Sequence, residues 1–229
     1  MQKTKAWWLK EFCGKWKEPE TKANSICSFD LFFLTRFAEY VSYGDEPIKV
    51  TEFGCGATTI ELCRLGVEVE CFSVGVSNPA KEVGFNPIYS RCNVMDPEWL
   101  DKIIESIKTS HLLVIDALHT EEFAEYYVKN IFPYVRCPIW IHDYWNTNRG
   151  SIPCGEQRYL DREVIGATHE IWTMTDLPLE ELREVSKEIG FDLTIQRHNK
   201  WPQNIGPRMC SMVLIQKEEY MEKHKDKQQ

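Results

Sequence analysis

From Ile48 to Ile141 the chain alternates short apolar runs with segments of helical periodicity, and this alternation constrains the fold more than any other feature. Ile48 to Phe53 reads as a buried strand, followed by a helix over Thr58 to Leu65. Val67 to Val76 and Ile88 to Cys92 read as the second and third strands, Trp99 to Ile107 as a helix, and Leu112 to Ile115 as a fourth strand. A helix over Glu121 to Val128 and a short strand over Ile139 to Ile141, after Pro138, complete the series. Parallel strands need long crossover connections, and repeated strand and helix units supply them. The expectation is an α/β protein built on a doubly wound, mostly parallel sheet.

The flanks read differently. Trp7, Trp8, Phe12 and Trp16 recur near helical spacing, and Phe29, Leu31, Phe32, Leu34, Phe37 and Tyr40 form a second apolar run. They predict N-terminal helices, a cap over residues 1–45 packed on a sheet edge or cleft. The stretch Tyr144 to Asp161 holds two glycines, one proline and many polar groups, and reads as a loop long for an ordinary connection. Leu179 to Ile189 reads as a helix, and Phe191 to Ile195 with Met209 to Gln216 as an antiparallel strand pair. Periodicity leaves Thr168 to Met174 open between a strand and an inserted element. The α/β domain thus occupies 46–217, and the charged residues 218–229 read as a solvated tail.

Composition narrows the class. Apolar residues make up 43% of the 229, enough for one sizeable core. With 27 Lys+Arg against 35 Asp+Glu the net charge is −8, which argues against a nucleic-acid partner. The N-terminus has no long apolar stretch, so neither a signal peptide nor a membrane partner is expected. Nine cysteines without a Cys-x-x-Cys pair suit neither a disulfide framework nor a structural zinc site, and fit a reducing cytoplasm.

The segment Val50-Thr51-Glu52-Phe53-Gly54-Cys55-Gly56-Ala57-Thr58-Thr59 stands where a strand turns into a helix. Glycines there let the backbone approach a ligand at a helix N-terminus. A dinucleotide fingerprint needs a third glycine where Thr59 stands, and a P-loop needs a Gly-Lys-Ser/Thr that is absent. The segment resembles the first motif of the class I S-adenosylmethionine-dependent methyltransferases, an acidic residue then Gly-x-Gly at the end of the first strand. The likeness extends in element order over about 48 to 216 and implies a Rossmann-like seven-stranded sheet with a C-terminal antiparallel strand pair. It implies that Glu52 faces the methionine amino group of S-adenosylmethionine and that Gly54, Cys55 and Gly56 pass under the cofactor, with Thr58, Asp116 and Ala117 beside it. Family members usually carry an acid after the second strand for the ribose; here Ser77, Asn78 or backbone groups would have to serve. Asn93 or Asp96 is placed to meet the adenine amino group, or alternatively to cap the turn before Pro97.

Two later strands both end in ionisable groups: Leu112-Leu113-Val114-Ile115-Asp116-Ala117-Leu118-His119 and Ile139-Trp140-Ile141-His142-Asp143. The C-terminal edge of a doubly wound sheet is where ligands bind. Asp116 and Asp143, with His142 as a third donor, suit a hard divalent ion such as Mg or Mn, and His119 suits a general base. His119 also reads as a capping or surface histidine, and His142 as a strand histidine bonded to backbone. The pattern is similar to the metal-dependent O-methyltransferases of macrolide sugars and rhamnose, in which an Asp-x-x-His segment supplies a ligand and the base. That resemblance implies methylation of a sugar or glycan hydroxyl by His119 and Asp143, with Asp116, His142 and Asp143 holding the metal. Tyr144, Trp145, Asn146, Asn148 and Arg149, followed by Gln157, Arg158, Tyr159 and Asp161, supply a mixture suited to a small-molecule or glycan acceptor. A metal-independent methyltransferase, a non-catalytic cofactor-binding relative and a nicotinamide oxidoreductase stay open, as does a homo-oligomer.

Overall fold

A computed structural model describes residues 48–142, 154–172 and 212–228, apart from Leu65, Ser77 and the side chains of Glu61 and Trp172. The helices expected before residue 46 and over Leu179 to Ile189 lie outside these residues, as do Ser77, Asp143 and the aromatic stretch from Tyr144.

The described chain runs β1 (Lys49–Phe53), α1 (Ala57–Arg64), β2 (Glu68–Ser73), α2 (Pro79–Glu82), β3 (Ile88–Arg91), a 3-10 turn (Pro97–Trp99) and α3 (Leu100–Lys108). It continues with β4 (Leu112–Ile115), α4 (Glu121–Asn130), a second 3-10 turn (Phe132–Tyr134), β5 (Ile139–Ile141) and α5 (Gly155–Glu163). β6 (His169–Trp172), β7 (Met212–Gln216), α6 (Glu218–Lys223) and α7 (Lys225–Gln228) follow.

The seven strands order as β3-β2-β1-β4-β5-β7-β6. Strands β1 to β5 are mutually parallel, and β7 is antiparallel to both of its neighbours. This is the Rossmann-like mixed sheet with a C-terminal antiparallel pair that the sequence leads one to expect. Every residue of β4 and β5 is buried, which is why both read as unbroken apolar runs: helices cover both faces of such strands. Strand β1 buries two polar residues, Thr51 and Glu52. The Thr51 hydroxyl is shared with Ser106 and Ser110, each at 2.7 Å, so α3 locks onto the sheet through hydroxyls as well as apolar contact. The chain winds to one side of β1 through β2 and β3, and to the other through β4 and β5. Ligands enter such sheets at this reversal, above the C-terminal ends of β1 and β4.

Five expectations change. β2 stops at Ser73 rather than Val76, and Val74 and Val76 stand 67% and 80% exposed: their apolar character marks no burial. The stretch read as a loop to Asp161 becomes helical at Gly155, where Cys154 caps α5 by accepting from the Gln157 N–H at 3.3 Å. Tyr159, read as an acceptor-pocket residue, is buried in the core instead. The antiparallel partners of β7 are β5 and β6, and Phe191 to Ile195, the expected partner, lies outside the described residues. The tail is docked rather than solvated: Tyr220 packs on His169 with ring centres 4.9 Å apart, and the Gln228 amide donates to the Val135 carbonyl at 2.8 Å. No helix among the described residues is long and apolar enough to cross a membrane.

Candidate functional site

The turn after β1 is built around Gly54, whose φ of +96° favours glycine. A Cβ there would lie 1.9 Å from the Asp116 carbonyl oxygen, so the position admits no side chain. Two backbone bonds secure this close approach: Gly54 N–H donates to Phe72 O at 3.0 Å and Asp116 N–H to Phe53 O at 2.9 Å. Gly56 is different, because a Cβ there would meet nothing within 4 Å among the described residues, leaving open space beside the turn. Thr59, standing where a dinucleotide fingerprint has glycine, accepts from the Gly56 N–H at 3.0 Å and donates to Glu52 Oε2 at 2.7 Å. The hydroxyl thus bridges the turn to the acid.

Glu52 has no exposed surface, and its Oε1 has no hydrogen-bond partner among the described residues, while Oε2 also accepts from the Cys71 thiol at 3.3 Å. Burial pushes its carboxyl well above the usual carboxylate range, against the bonds from Thr59 and Cys71. The half-buried Cys55 thiol is lowered to about 7 through its hydrogen bond with Cys71, whose own thiol is pushed up by that bond and by burial. Cys55 also approaches Asn78 Oδ1 at 3.9 Å, and Asn78 caps α2.

The adenine candidates are engaged locally. Asn93 accepts from Met95 N–H at 3.1 Å, and Asp96 caps the 3-10 turn by accepting from Glu98 N–H at 3.3 Å. The loop after β2 is fastened from β3 by Tyr89, whose hydroxyl donates to the Gly75 carbonyl at 2.6 Å.

Beyond β4 and β5, Asp116 and His142 meet: Asp116 Oδ1 lies 3.0 Å from His142 Nδ1, and Oδ2 accepts from Thr58 at 2.7 Å. Burial pushes the Asp116 carboxyl up, but the bond and charge of His142, the Thr58 hydroxyl and the charge of His119 outweigh it and hold the carboxyl below its ordinary value. His142 stacks on Trp140 with ring centres 5.4 Å apart. Ala117 follows in the half-buried exit from β4. No group of three His, Cys, Asp or Glu side chains among the described residues is arranged to hold a metal ion. Asp116 and His142 bond to each other, and Asp143, the third expected donor, lies outside the described residues.

His119 has a partner that sequence reasoning missed. Its Nδ1 lies 2.7 Å from Oε2 of Glu156, a residue of the first turn of α5 with no exposed surface. Tyr127, on α4, donates to the other carboxyl oxygen at 2.8 Å. Glu156 stands 37 residues from His119 in a stretch of turn-forming composition, so no spacing could link them.

No protein-family model matches the chain, and no curated protein matches it. Solved structures do. The MycE methyltransferase from the mycinamycin biosynthetic pathway, in complex with Mg and SAH, is 13% identical with a TM-score of 0.46 over 91% of this chain and 53% of that one. Its complex with Mg, SAH and mycinamycin VI is 14% identical with a TM-score of 0.47, over 91% of this chain and 54% of that one. A second crystal form with Mg and SAH gives 13% and 0.44 over 81% and 48%. The chain therefore spans about half the length of these structures.

Proposed function

We propose that this chain is an S-adenosylmethionine-dependent O-methyltransferase acting on a hydroxyl of a small acceptor, a sugar or glycan. The observation that carries the reading is the composition of the sheet's reversal point: a glycine turn lodged against Asp116, an acid beneath it with an orphaned oxygen, and His119 just beyond. The orphaned Glu52 Oε1 is the fit test for the cofactor, because a cationic amino group would satisfy its empty acceptor and favour the ionised form that burial otherwise opposes. The open space at Gly56 leaves room for the chain that follows such an amino group. When bound, the cofactor supplies an electrophilic methyl group on a sulfonium, transferred in line to the acceptor oxygen.

The protein's own work is alignment and proton removal. His119 takes the acceptor hydroxyl proton as the new C–O bond forms and the C–S bond breaks, leaving an uncharged thioether and a protonated imidazole. Asp116, held ionised by His142 and Thr58, would add negative charge beside the glycine turn that favours a cationic cofactor. The divalent-ion part of the reading rests on Asp116 together with Asp143, since the described donors alone do not make a metal site.

His119→Ala should lower kcat by about 10²- to 10⁴-fold, the usual contribution of a general base, while S-adenosylhomocysteine affinity measured by calorimetry stays within threefold. A sugar panel assayed by mass spectrometry for methyl addition supplies the turnover. Unchanged turnover in this variant sinks the assignment of the base. A second reading, a non-catalytic cofactor-binding relative, is favoured by the absence of any carboxylate from Phe72 to Asn78; binding without methyl transfer to any acceptor would support it.

A further inference from the structure

Resting on the methyltransferase reading, we infer that Glu156 is a positioning residue for His119: it holds the imidazole proton on Nδ1 and so places the basic lone pair on Nε2. The contact is over-determined. The side chains meet at 2.7 Å, and the Glu156 N–H also donates to the His119 carbonyl at 3.4 Å, so backbone and side chain fix the same pair. The Glu156 side chain is wholly buried while His119 is 19% exposed, which puts the acid behind the ring and the ring toward the sheet edge.

The start of α5 is jammed against the start of α4. A Cβ at Gly155 would lie 2.6 Å from Glu121 N, and Arg162 ties the same two helices on the surface through Glu121 at 3.0 Å. Glu156 can therefore neither retreat along α5 nor rotate freely, because its second oxygen is held by the Tyr127 hydroxyl. Tyr127 is itself wedged against Phe123 and Phe132, with ring centres 5.2 and 5.1 Å away.

In water the neutral imidazole has two tautomers, and only one presents a lone pair to a given proton. A buried carboxyl accepting from Nδ1–H selects that form, and its charge stabilises the imidazolium created when Nε2 takes the acceptor proton. The proton moves from the acceptor oxygen to Nε2 and no further. A carboxyl without surface placed beside a histidine has a desolvation cost that packing alone would not select.

The test uses the full chain labelled with ¹⁵N-histidine, with His119→Gln to assign the resonance. The wild type should show His119 as the Nδ1–H tautomer, and Glu156→Gln should move the population toward Nε2–H. The same variant should lose about 10²- to 10³-fold in kcat with acceptor KM and S-adenosylhomocysteine affinity within threefold. Tyr127→Phe, which removes one hydroxyl, should lose about three- to tenfold in kcat. A wild-type Nε2–H tautomer, or Glu156→Gln with unchanged tautomer and kcat, overturns the inference. If Glu156→Gln does not fold, an unchanged kcat in Tyr127→Phe overturns it. The tautomer is read without turnover, so absent methyl transfer with an Nδ1–H ring defeats the enzymatic reading alone.

Discussion

Glu52 illustrates how a single residue can be costly to the empty protein and useful to the loaded one. Its burial and the neighbouring Asp116 charge raise the carboxyl above the ordinary value of 4.5, so the folded state keeps a proton that the unfolded chain releases. The stability linked to that proton is fully present below the unfolded value and is lost as pH rises through the folded one. Glu52→Gln should therefore raise the melting temperature of the ligand-free protein at pH 7.5 more than at pH 4.5, flattening the pH profile. It should also weaken S-adenosylhomocysteine binding by about tenfold or more, the usual scale for losing a charged hydrogen-bond partner. Thermal melts across that pH range and calorimetry measure the two effects. A variant less stable at neutral pH with unchanged affinity would mean that Glu52 only braces the turn through Thr59.

At the scale of elements, β6 and the docked tail form a unit with an acid-sensitive side chain at its centre. His169 sits between Phe132 and Tyr220, with ring centres 5.1 and 4.9 Å away, and burial lowers its pKa to about 4. Thr168 meets its Nδ1 at 2.9 Å, and Nε2 is buried without a partner among the described residues. As pH falls from 6.5 toward 4 the unfolded chain takes up a proton that the folded state refuses, so stability declines across that window. His169→Phe keeps a ring in the stack and removes the titration. Between pH 7 and pH 4.5 the wild type should lose about 2 kcal/mol more than the variant in urea unfolding; equal losses would place the acid sensitivity elsewhere. The same unit marks where sequence reading stops. Strands β4 and β5 were legible because burial on both faces demands unbroken apolar runs, whereas His169 and Glu170 interrupt β6 and the charges of α6 mask Tyr220. Asp116, His119 and His142 could be named from strand ends alone. Glu156 could not, because its meaning comes from the packing of α5 on α4.

For the whole molecule, the sheet's reversal gathers the acids Glu52, Asp116 and Glu156 around one edge of a chain whose net charge is already −8. Burial and the neighbouring Asp116 charge oppose ionisation of Glu52, and a cationic ligand would relieve both. Binding to the folded state alone adds about 2.7 kcal/mol when ligand reaches 100 times its Kd. For a chain of this size each kcal/mol moves the midpoint by about 2–4 °C, so saturating S-adenosylhomocysteine should raise the melting temperature by about 5–10 °C. S-adenosylmethionine carries the sulfonium charge that the product lacks, and it should give the larger shift at equal saturation ratio if Asp116 faces the sulfonium. If Asp116 and Asp143 hold a divalent ion, millimolar Mg should add a further shift that a chelator reverses and Asp116→Asn abolishes. No shift with either nucleoside at millimolar concentration would defeat the cofactor reading. A cofactor shift indifferent to Mg, chelator and Asp116→Asn would leave the cofactor reading standing and remove the metal, returning Asp116 to the role its bonds to Thr58 and His142 already describe: an ionised acid fixed beside the glycine turn.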